Sequence, residues 1–349
     1  MNLLLIFGGA STEHDVSRLS CSNVFKFIDK TKYQIHLIYI TKDGQWKYIE
    51  NATSEKICEG ELLGRRAILS PDTIDRGIIL LDTLENIKID CVFPILHGKN
   101  GEDGTVQGLF ELAKLPYVGC GITASANSMD KSLTKIIIKE KGVEQCPYNL
   151  IIKEKYDENV SIAEIENEFE YPVFVKPCAS GSSVGVSKAK NREELKLAII
   201  EALKYDRKVL VEKNIVGREI EVAVLGNEKP IASMAGEIAP ESDFYSFDAK
   251  YVDNSSKLYI PARISEQTMQ KVRENAIKVY SALDCTGLSR VDFFVTEDEQ
   301  IIFNEINTLP GFTNISMYPK LFDYAGLKYS ELIDELISYA MSRGGANEQ

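Results

Sequence analysis

Residues 303–313 read FNEINTLPGFT, and Gln300, Ile301 and Ile302 lead into them with an apolar pair. Such a run reads as a buried strand, yet side chains alternate across a strand, so Glu305 and Asn307 share one of its faces. Upstream, SRVDFF (289–294) is a second run of this kind, in which Arg290 and Asp292 share a face. Only the turn-like TEDEQ (296–300) separates the two. They are therefore expected to pair as a hairpin, with Asp292, Glu305 and Asn307 converging on one small volume and Phe294, Ile302 and Ile306 on the apolar side. Two carboxylates and an amide oxygen are hard ligands that suit Mg²⁺, which keeps positions for water and substrate phosphates. A merely solvated strand face is the plain alternative, and the apolar alternate positions argue against it. The turn at Pro310-Gly311 then frees backbone N–H groups for an anion.

A site of this kind needs a phosphate-handling partner. SGSSVG (Ser180–Gly185) supplies small residues whose N–H groups can approach phosphates closely, although a Gly/Ser loop alone is more often a plain turn. Lys176 ends an otherwise apolar strand, where its charge costs desolvation unless an anion compensates it. Lys131 stands in the first turn of a helix, where the dipole disfavours a cation. Each lysine alone reads as a surface residue; together they suggest a clamp. VLVEKNIVGRE (Val209–Glu219) offers Glu212, an exposed backbone step and Glu219, a set that can serve an adenine edge and ribose hydroxyls. No G-x-x-x-x-G-K-[ST] is present, which disfavours the P-loop class.

The rest of the chain fits small-molecule chemistry. With 349 residues, 44% of them apolar, there is enough sequence for two or three domains, and a formal charge of -12 disfavours nucleic acid and anionic lipid as partners. Seven cysteines without metal-ligand spacing read as reduced thiols, and Leu3–Phe7 reads as a first strand, not a signal peptide or membrane span. A helix opened by Ser11/Thr12, a strand at 34–40 and another at 91–96 follow, then a helix at 105–113 and a short strand at Tyr117-Val118; together they imply a parallel sheet wrapped by helices. Asp130 caps a helix over 131–141, and strands at 173–176 and 209–212 flank a helix at 193–203. Beyond Gly217 come strands at 220–225, 289–296 and 300–304, a helix at 266–283 and a last helix at 329–341. Segment 41–88 is too irregular to divide into hairpins.

The motifs GGASTEHDVS, LHGKNGEDGTVQG, SMDK, VKPCASGSSVGV, VEKNIVGRE, FDAKY, SRVDFF and NEINTLPGFT run in order from residue 8 to 313. In them the sequence resembles the D-alanine:D-alanine ligases of the ATP-grasp superfamily, over essentially its whole length. The resemblance implies an α/β, ATP-grasp fold of three domains. These are an N-terminal parallel α/β domain (1–129), a central α+β ATP lid domain (130–217) and a C-terminal α+β catalytic domain (218–349). It implies ATP-dependent joining of two D-alanines through a D-alanyl phosphate, for peptidoglycan synthesis, in a cytoplasmic homodimer using ATP and two Mg²⁺ (or Mn²⁺).

Carried over residue by residue, Lys131 and Lys176 bind ATP phosphates, and Ser182 and Ser183 lie in the loop over them. Glu212, Lys213, Ile215 and Glu219 hold adenine and ribose, and Asp292, Glu305 and Asn307 ligate the metals. Glu13 receives the first ammonium group in a hydrogen-bonded set with Ser182 and Tyr251, and His97 lies near the first carboxylate. Arg290 and the Gly311 N–H stabilise the oxyanion, Lys250 and Ser316 bind the second carboxylate, and Met317 lines the second pocket. Residues 243–256 would form a lid. Two places depart from the family: Ser180 stands where an acidic residue is common, and TNISM (313–317) replaces a common SHSL. The related D-alanine:D-serine ligases of vancomycin resistance are the alternative. A dinucleotide-binding oxidoreductase is a remote one, prompted only by GCGITA (119–124), which comes late in the sheet with no ribose-binding acid after it.

Overall fold

A computed structural model describes residues 1–181, 183–239 and 257–346, with side chains as far as Arg343. In the N-terminal sheet β1 (Asn2–Gly8) runs parallel to both β2 (Gln34–Ile40) and β7 (Cys91–Ile95). Only these three strands match the parallel sheet expected from sequence. The segment left unread builds an antiparallel extension: β3 (Trp46–Tyr48), β4 (Arg65–Leu69), β5 (Gly77–Leu80) and β6 (Asn86–Lys88), in the order β6-β5-β4-β3-β2-β1-β7. Helices α1 (His14–Phe27), α2 (Ser54–Glu59) and α3 (Thr105–Leu112) accompany this sheet. Glu13, not Ser11 or Thr12, is the N-cap of α1 and makes no capping bond with its side chain. Ser11 Oγ instead accepts from Glu13 N at 3.2 Å and donates to His97 O at 2.8 Å, which ties the turn to the neighbouring loop. Tyr117 forms a single bridge with Val92, because Gly119, at φ +103°, turns the chain before a strand can develop.

Helices α4 (Ile122–Met129) and α5 (Lys131–Lys139) connect to a second sheet. Asp130 caps α5 as expected, its Oδ1 accepting from Ser132 N at 3.0 Å and Leu133 N at 3.3 Å. The first GCGITA glycine serves packing: a Cβ at Gly119 would lie 2.9 Å from the Leu309 side chain, and one at Gly287, outside the motif, would lie 3.2 Å from Gly119 N. The second sheet is antiparallel, with β8 (Tyr148–Ile152), β9 (Val173–Pro177), β10 (Ser187–Ala189) and β11 (Lys208–Lys213) in the order β10-β9-β11-β8. Helices α6 (Glu158–Glu168) and α7 (Arg192–Ala202) give it its own core, in which Ile162, Leu195 and Ile199 meet Val173, Val175 and Val209.

The third sheet holds β12 (Arg218–Leu225), β13 (Ile231–Ala232), β14 (Gly236–Ala239), β15 (Lys257–Tyr259), β16 (Leu288–Val295) and β17 (Ile301–Asn307). Its order is β15-β14-β12-β16-β17, with β13 paired to β12. Against one face packs α8 (Glu266–Ala282), through Met269, Val272, Ala276 and Val279. The chain ends in α9 (Met317–Tyr324) and α10 (Tyr329–Ala346). Leu5, Phe7 and Phe93 of the first sheet share one core with Phe312, Tyr318, Leu332 and Leu336. The first and third sheets are thus fused by burial, while the second keeps its own core. Among the described residues no helix is long and apolar enough to cross a membrane.

Candidate active site

The β16–β17 hairpin forms in the expected register at its acidic end, with Arg290 opposite Asn307 and Asp292 opposite Glu305. Beyond that pair the register shifts, so that Phe293 faces Phe303 and Asn304 becomes the extra residue of a bulge. Strict alternation would put Phe303 on the same face as Glu305. The bulge instead keeps Phe303 in the core, edge-on to Phe293 at 6.1 Å, and turns Glu305 to the polar face. It also corrects one expectation: Ile302 pairs with Phe294, which shares the face of Asp292.

On β12, Glu221 lies directly opposite Asp292, so Glu221, Asp292 and Glu305 form a row across three strands. Asp292 and Glu221 are each 7% exposed, and buried carboxylates require compensation. Arg290 supplies it. Its Nε and Nη2 donate to the two Asp292 oxygens at 2.8 and 2.7 Å, and Nε lies 3.1 Å from Glu221 Oε2. Asn307 Nδ2 donates to Asp292 Oδ2 at 3.0 Å, which leaves its carbonyl oxygen to act as a donor atom toward a cation. Among the described residues no three His, Cys, Asp or Glu side chains cluster in a way that could hold a metal. By donor chemistry alone, the two carboxylates and one amide oxygen of Asp292, Glu305 and Asn307 are hard ligands of the kind Mg²⁺ takes beside water and substrate oxygens.

Facing this row is the turn after β17. His97 Nδ1–H donates to Leu309 O at 3.0 Å, while Leu309 N donates to Glu102 Oε1 at 3.3 Å. Glu102 Oε2 accepts from Gly98 N at 2.6 Å. The peptide groups on both sides of Leu309 are thus gripped by one loop of the first unit, which fixes the approach to Gly311. Burial lowers the His97 pKa against the opposing pull of Glu13, so the ring is neutral, with Nε2 facing the Ser20 hydroxyl at 3.3 Å. Burial and then the charge of Glu13 push the Glu102 carboxyl up to about 8, against the backbone N–H groups and Arg290. A Cβ at Gly311 would lie 2.8 Å from Ser316 Oγ, so a larger residue there would have to displace that hydroxyl. Ser316 Oγ accepts from Thr313 N at 3.0 Å, and Met317, 4% exposed, is wedged against Gly236.

Glu13 is 7% exposed at the start of α1, and both Gly98 and Gly181 come close to its carboxylate. Cβ atoms there would lie 2.6 and 3.1 Å from Glu13 Oε2. The glycine-serine loop therefore reaches the first unit. Ser183 adopts φ +58°, a left-handed conformation that costs a non-glycine residue about 1 kcal/mol and concentrates at functional loops. At the position of the first departure, Ser180 Oγ donates to Val184 O at 3.2 Å and closes the loop on itself. Lys131 donates to Ser180 O at 2.8 Å and stands 3.8 Å from Glu305 Oε2, which accounts for a cation at a helix N-terminus. Ser182, Lys250, Tyr251 and the expected lid at 243–256 lie outside the described residues.

A solvent-open cleft gathers Glu13, His97, Lys131, Arg290, Glu305 and Asn307 and is also lined by Gly311, Ser316 and Met317. Asp292 lies beneath it, held by Arg290 and Asn307. The expected nucleotide residues stand apart. Lys176 pairs with Glu212 and reaches Asn304 Oδ1 at 3.4 Å, while the other oxygen of Glu212 lies 2.7 Å from Lys135. Lys213 has its N–H on Pro147 O at 3.1 Å and its carbonyl on the Cys146 thiol at 2.9 Å. Glu219 shares a face of β12 with Glu221, opposite Phe294. Glu102, Lys135 and Glu221 escaped the sequence reading. Glu102 alone lay inside a motif that had been singled out, LHGKNGEDGTVQG.

Comparison with known proteins agrees along the whole chain. Residues 2–120 match the family description "D-ala D-ala ligase N-terminus", and residues 137–338 match "D-ala D-ala ligase C-terminus". The D-alanine--D-alanine ligase of Acetivibrio thermocellus is 49% identical, covering 99% of this chain and 97% of its own. That of Ruminiclostridium cellulolyticum is 50% identical, with coverage of 97% and 95%. Among solved structures, the VanG D-Ala:D-Ser ligase from Enterococcus faecalis superposes with a TM-score of 0.88 at 39% identity, covering 97% of this chain and 99% of its own. The D-alanine-D-alanine ligase from Coxiella burnetii gives 0.86 at 34%, with coverage of 100% and 97%.

Proposed function

Because this chain belongs to the D-alanine–D-alanine ligase family, with the ATP-grasp fold of its structural neighbours, we propose that it joins two D-alanines into D-alanyl-D-alanine with consumption of ATP. The product serves peptidoglycan precursor synthesis. One observation carries this reading for the residues themselves: the Arg290, Asp292, Glu305 and Asn307 face stands across one cleft from the turn that ends in Gly311.

The first carboxylate attacks the γ-phosphoryl of ATP, and the second amino group then attacks the acyl phosphate. Lys131, Lys176 and Arg290 offset charge on the transferring group. Asp292, Glu305 and Asn307 would hold Mg²⁺ (or Mn²⁺), which supplies charge neutralisation between phosphate oxygens when bound. Arg290 and the Gly311 N–H receive the oxyanion of the tetrahedral intermediate, and the His97–Glu102 grip on Leu309 keeps that N–H in place. Glu13, beside the loop glycine Gly181, receives the first ammonium group; Ser182 and Tyr251 are proposed as its partners, and Lys250 and Ser316 as ligands of the second carboxylate. Glu212, Lys213, Ile215 and Glu219 are assigned to adenine and ribose and Ser183 to the loop over the phosphates; Glu212 is also paired with Lys176.

Ile238, Ile315 and Met317 line the cleft beside Ser316, an apolar wall that suits a methyl side chain better than a hydroxymethyl. D-alanine is therefore assigned as the second substrate. A division at 1–129, 130–217 and 218–349 is proposed with this reading, as is a cytoplasmic location, supported by seven free thiols. A homodimer is proposed from the family resemblance alone. Phosphate release should depend on D-alanine, with D-alanyl-D-alanine identified by mass. Predominant D-alanyl-D-serine at neutral pH from a mixture of both amino acids would overturn the choice of second substrate.

A further inference from the structure

Glu212 ends β11 with both carboxylate oxygens in ion pairs, Oε1 with Lys135 at 2.7 Å and Oε2 with Lys176. The carboxylate is buried at 4% exposure, and Lys135 at 1% is more deeply enclosed than any other lysine described. Lys135 Nζ also donates to Cys146 O at 3.2 Å and lies 5.2 Å from the centre of the Tyr148 ring. Those contacts hold it between α5 and β8. Lys176 is the outer of the two cations, because it alone extends to Asn304, the bulge residue next to Glu305. Burial acts against its charge, and the Glu212 carboxylate more than offsets that, so its pKa is raised. Despite burial, Lys176 and Lys135 hold the Glu212 carboxyl below its ordinary range.

A single lysine paired with Glu212 could not leave it without stranding a buried charge, which is among the costliest defects in a protein interior. We propose that Lys135 is the resident counter-ion of Glu212, which releases Lys176 to follow the phosphates of a bound nucleotide. Lys135 is thus a positioning residue that touches no substrate. The inference rests on the reading of Lys176 as a phosphate-binding lysine.

The test is calorimetric titration of MgADP into the full-length protein, together with initial rates against ATP and against D-alanine. Lys135→Met should weaken MgADP binding and raise KM for ATP by about tenfold or more, with KM for D-alanine within about twofold of wild type. A purely structural ion pair would not divide the two constants in this way. Lys135→Arg keeps the positive charge beside Glu212, so it should bind MgADP at least about fivefold more tightly than Lys135→Met. Unchanged MgADP affinity in Lys135→Met, or a Lys135→Arg variant no tighter than it, overturns the inference. If Lys135→Met does not fold, Lys135→Arg decides: affinity within about threefold of wild type supports the inference, and a loss of about tenfold overturns it. Lys176→Met separates the two levels. Unaltered MgADP affinity there removes the phosphate-lysine reading itself, whereas weakening in Lys176→Met without weakening in Lys135→Met removes only the counter-ion.

Discussion

Glu305 faces Asp292 across the hairpin and stands 3.8 Å from the Lys131 ammonium, so a substitution there changes charge at the centre of the cleft. Glu305→Gln keeps the volume and one oxygen but not the anion. Steady-state rates should show turnover lowered by at least about a hundredfold, with an unchanged circular dichroism spectrum. Near-normal turnover would remove Glu305 from the proposed metal-binding set. Glu102 carries a second prediction at this scale. Its carboxyl is raised to about 8 in the folded protein from an ordinary 4.5, so between these values the native state holds a proton that the unfolded chain has released. That contribution to stability is fully present below about pH 4.5 and is lost as pH rises through about 8. Gln cannot titrate, so wild-type Tm should fall relative to that of Glu102→Gln as pH rises from about 5 to 8. Parallel Tm curves would contradict the placement of Glu102.

Among the elements, α10 has a specific duty at its C-terminal end. Arg343 Nη1 donates to Gly119 O at 2.6 Å and to Thr286 Oγ1 at 2.5 Å, and Nη2 donates to Tyr117 O at 2.9 Å. Its guanidinium stacks 4.1 Å from the centre of the Tyr117 ring. Arg343→Met should destabilise the protein by about 2–3 kcal/mol in urea unfolding, the scale of losing charged hydrogen bonds to carbonyls that remain part-buried. A change below about 0.5 kcal/mol would show that α10 is held by its apolar face alone. Legibility in the sequence followed the same division into elements. Strands β1, β2, β16 and β17 could be read because each carries a long apolar run. Strands β3 and β6 could not, because three residues show no alternation. Helix α9 was hidden by Pro319, which reads as a breaker but sits in the first turn, where no N–H is needed. The bulge at Asn304 was invisible because register belongs to a pair of strands, not to either one. Lys135, one helical turn after Lys131, carries no signal in the sequence, because only the folded sheet brings Glu212 against it.

Over the whole molecule, burial joins the first and third sheets through Phe7, Phe93, Phe312 and Leu336, while the second sheet has a separate core. The cleft lies where the three meet: Glu13 and His97 come from the first unit, Gly181 from the loop of the second, and Arg290 and Glu305 from the third. No one sheet holds a complete set. This arrangement suits a reaction in which nucleotide, metal and two amino acids must be brought together away from water. The central claim is that the cleft moves a phosphoryl group onto a carboxylate before the amide forms. D-alanine labelled with ¹⁸O in its carboxylate tests this directly, with the released phosphate analysed by mass. One labelled oxygen in that phosphate is the predicted result, because the oxygen bridging carbon and phosphorus leaves with phosphorus. Unlabelled phosphate accompanying dipeptide formation would contradict the account.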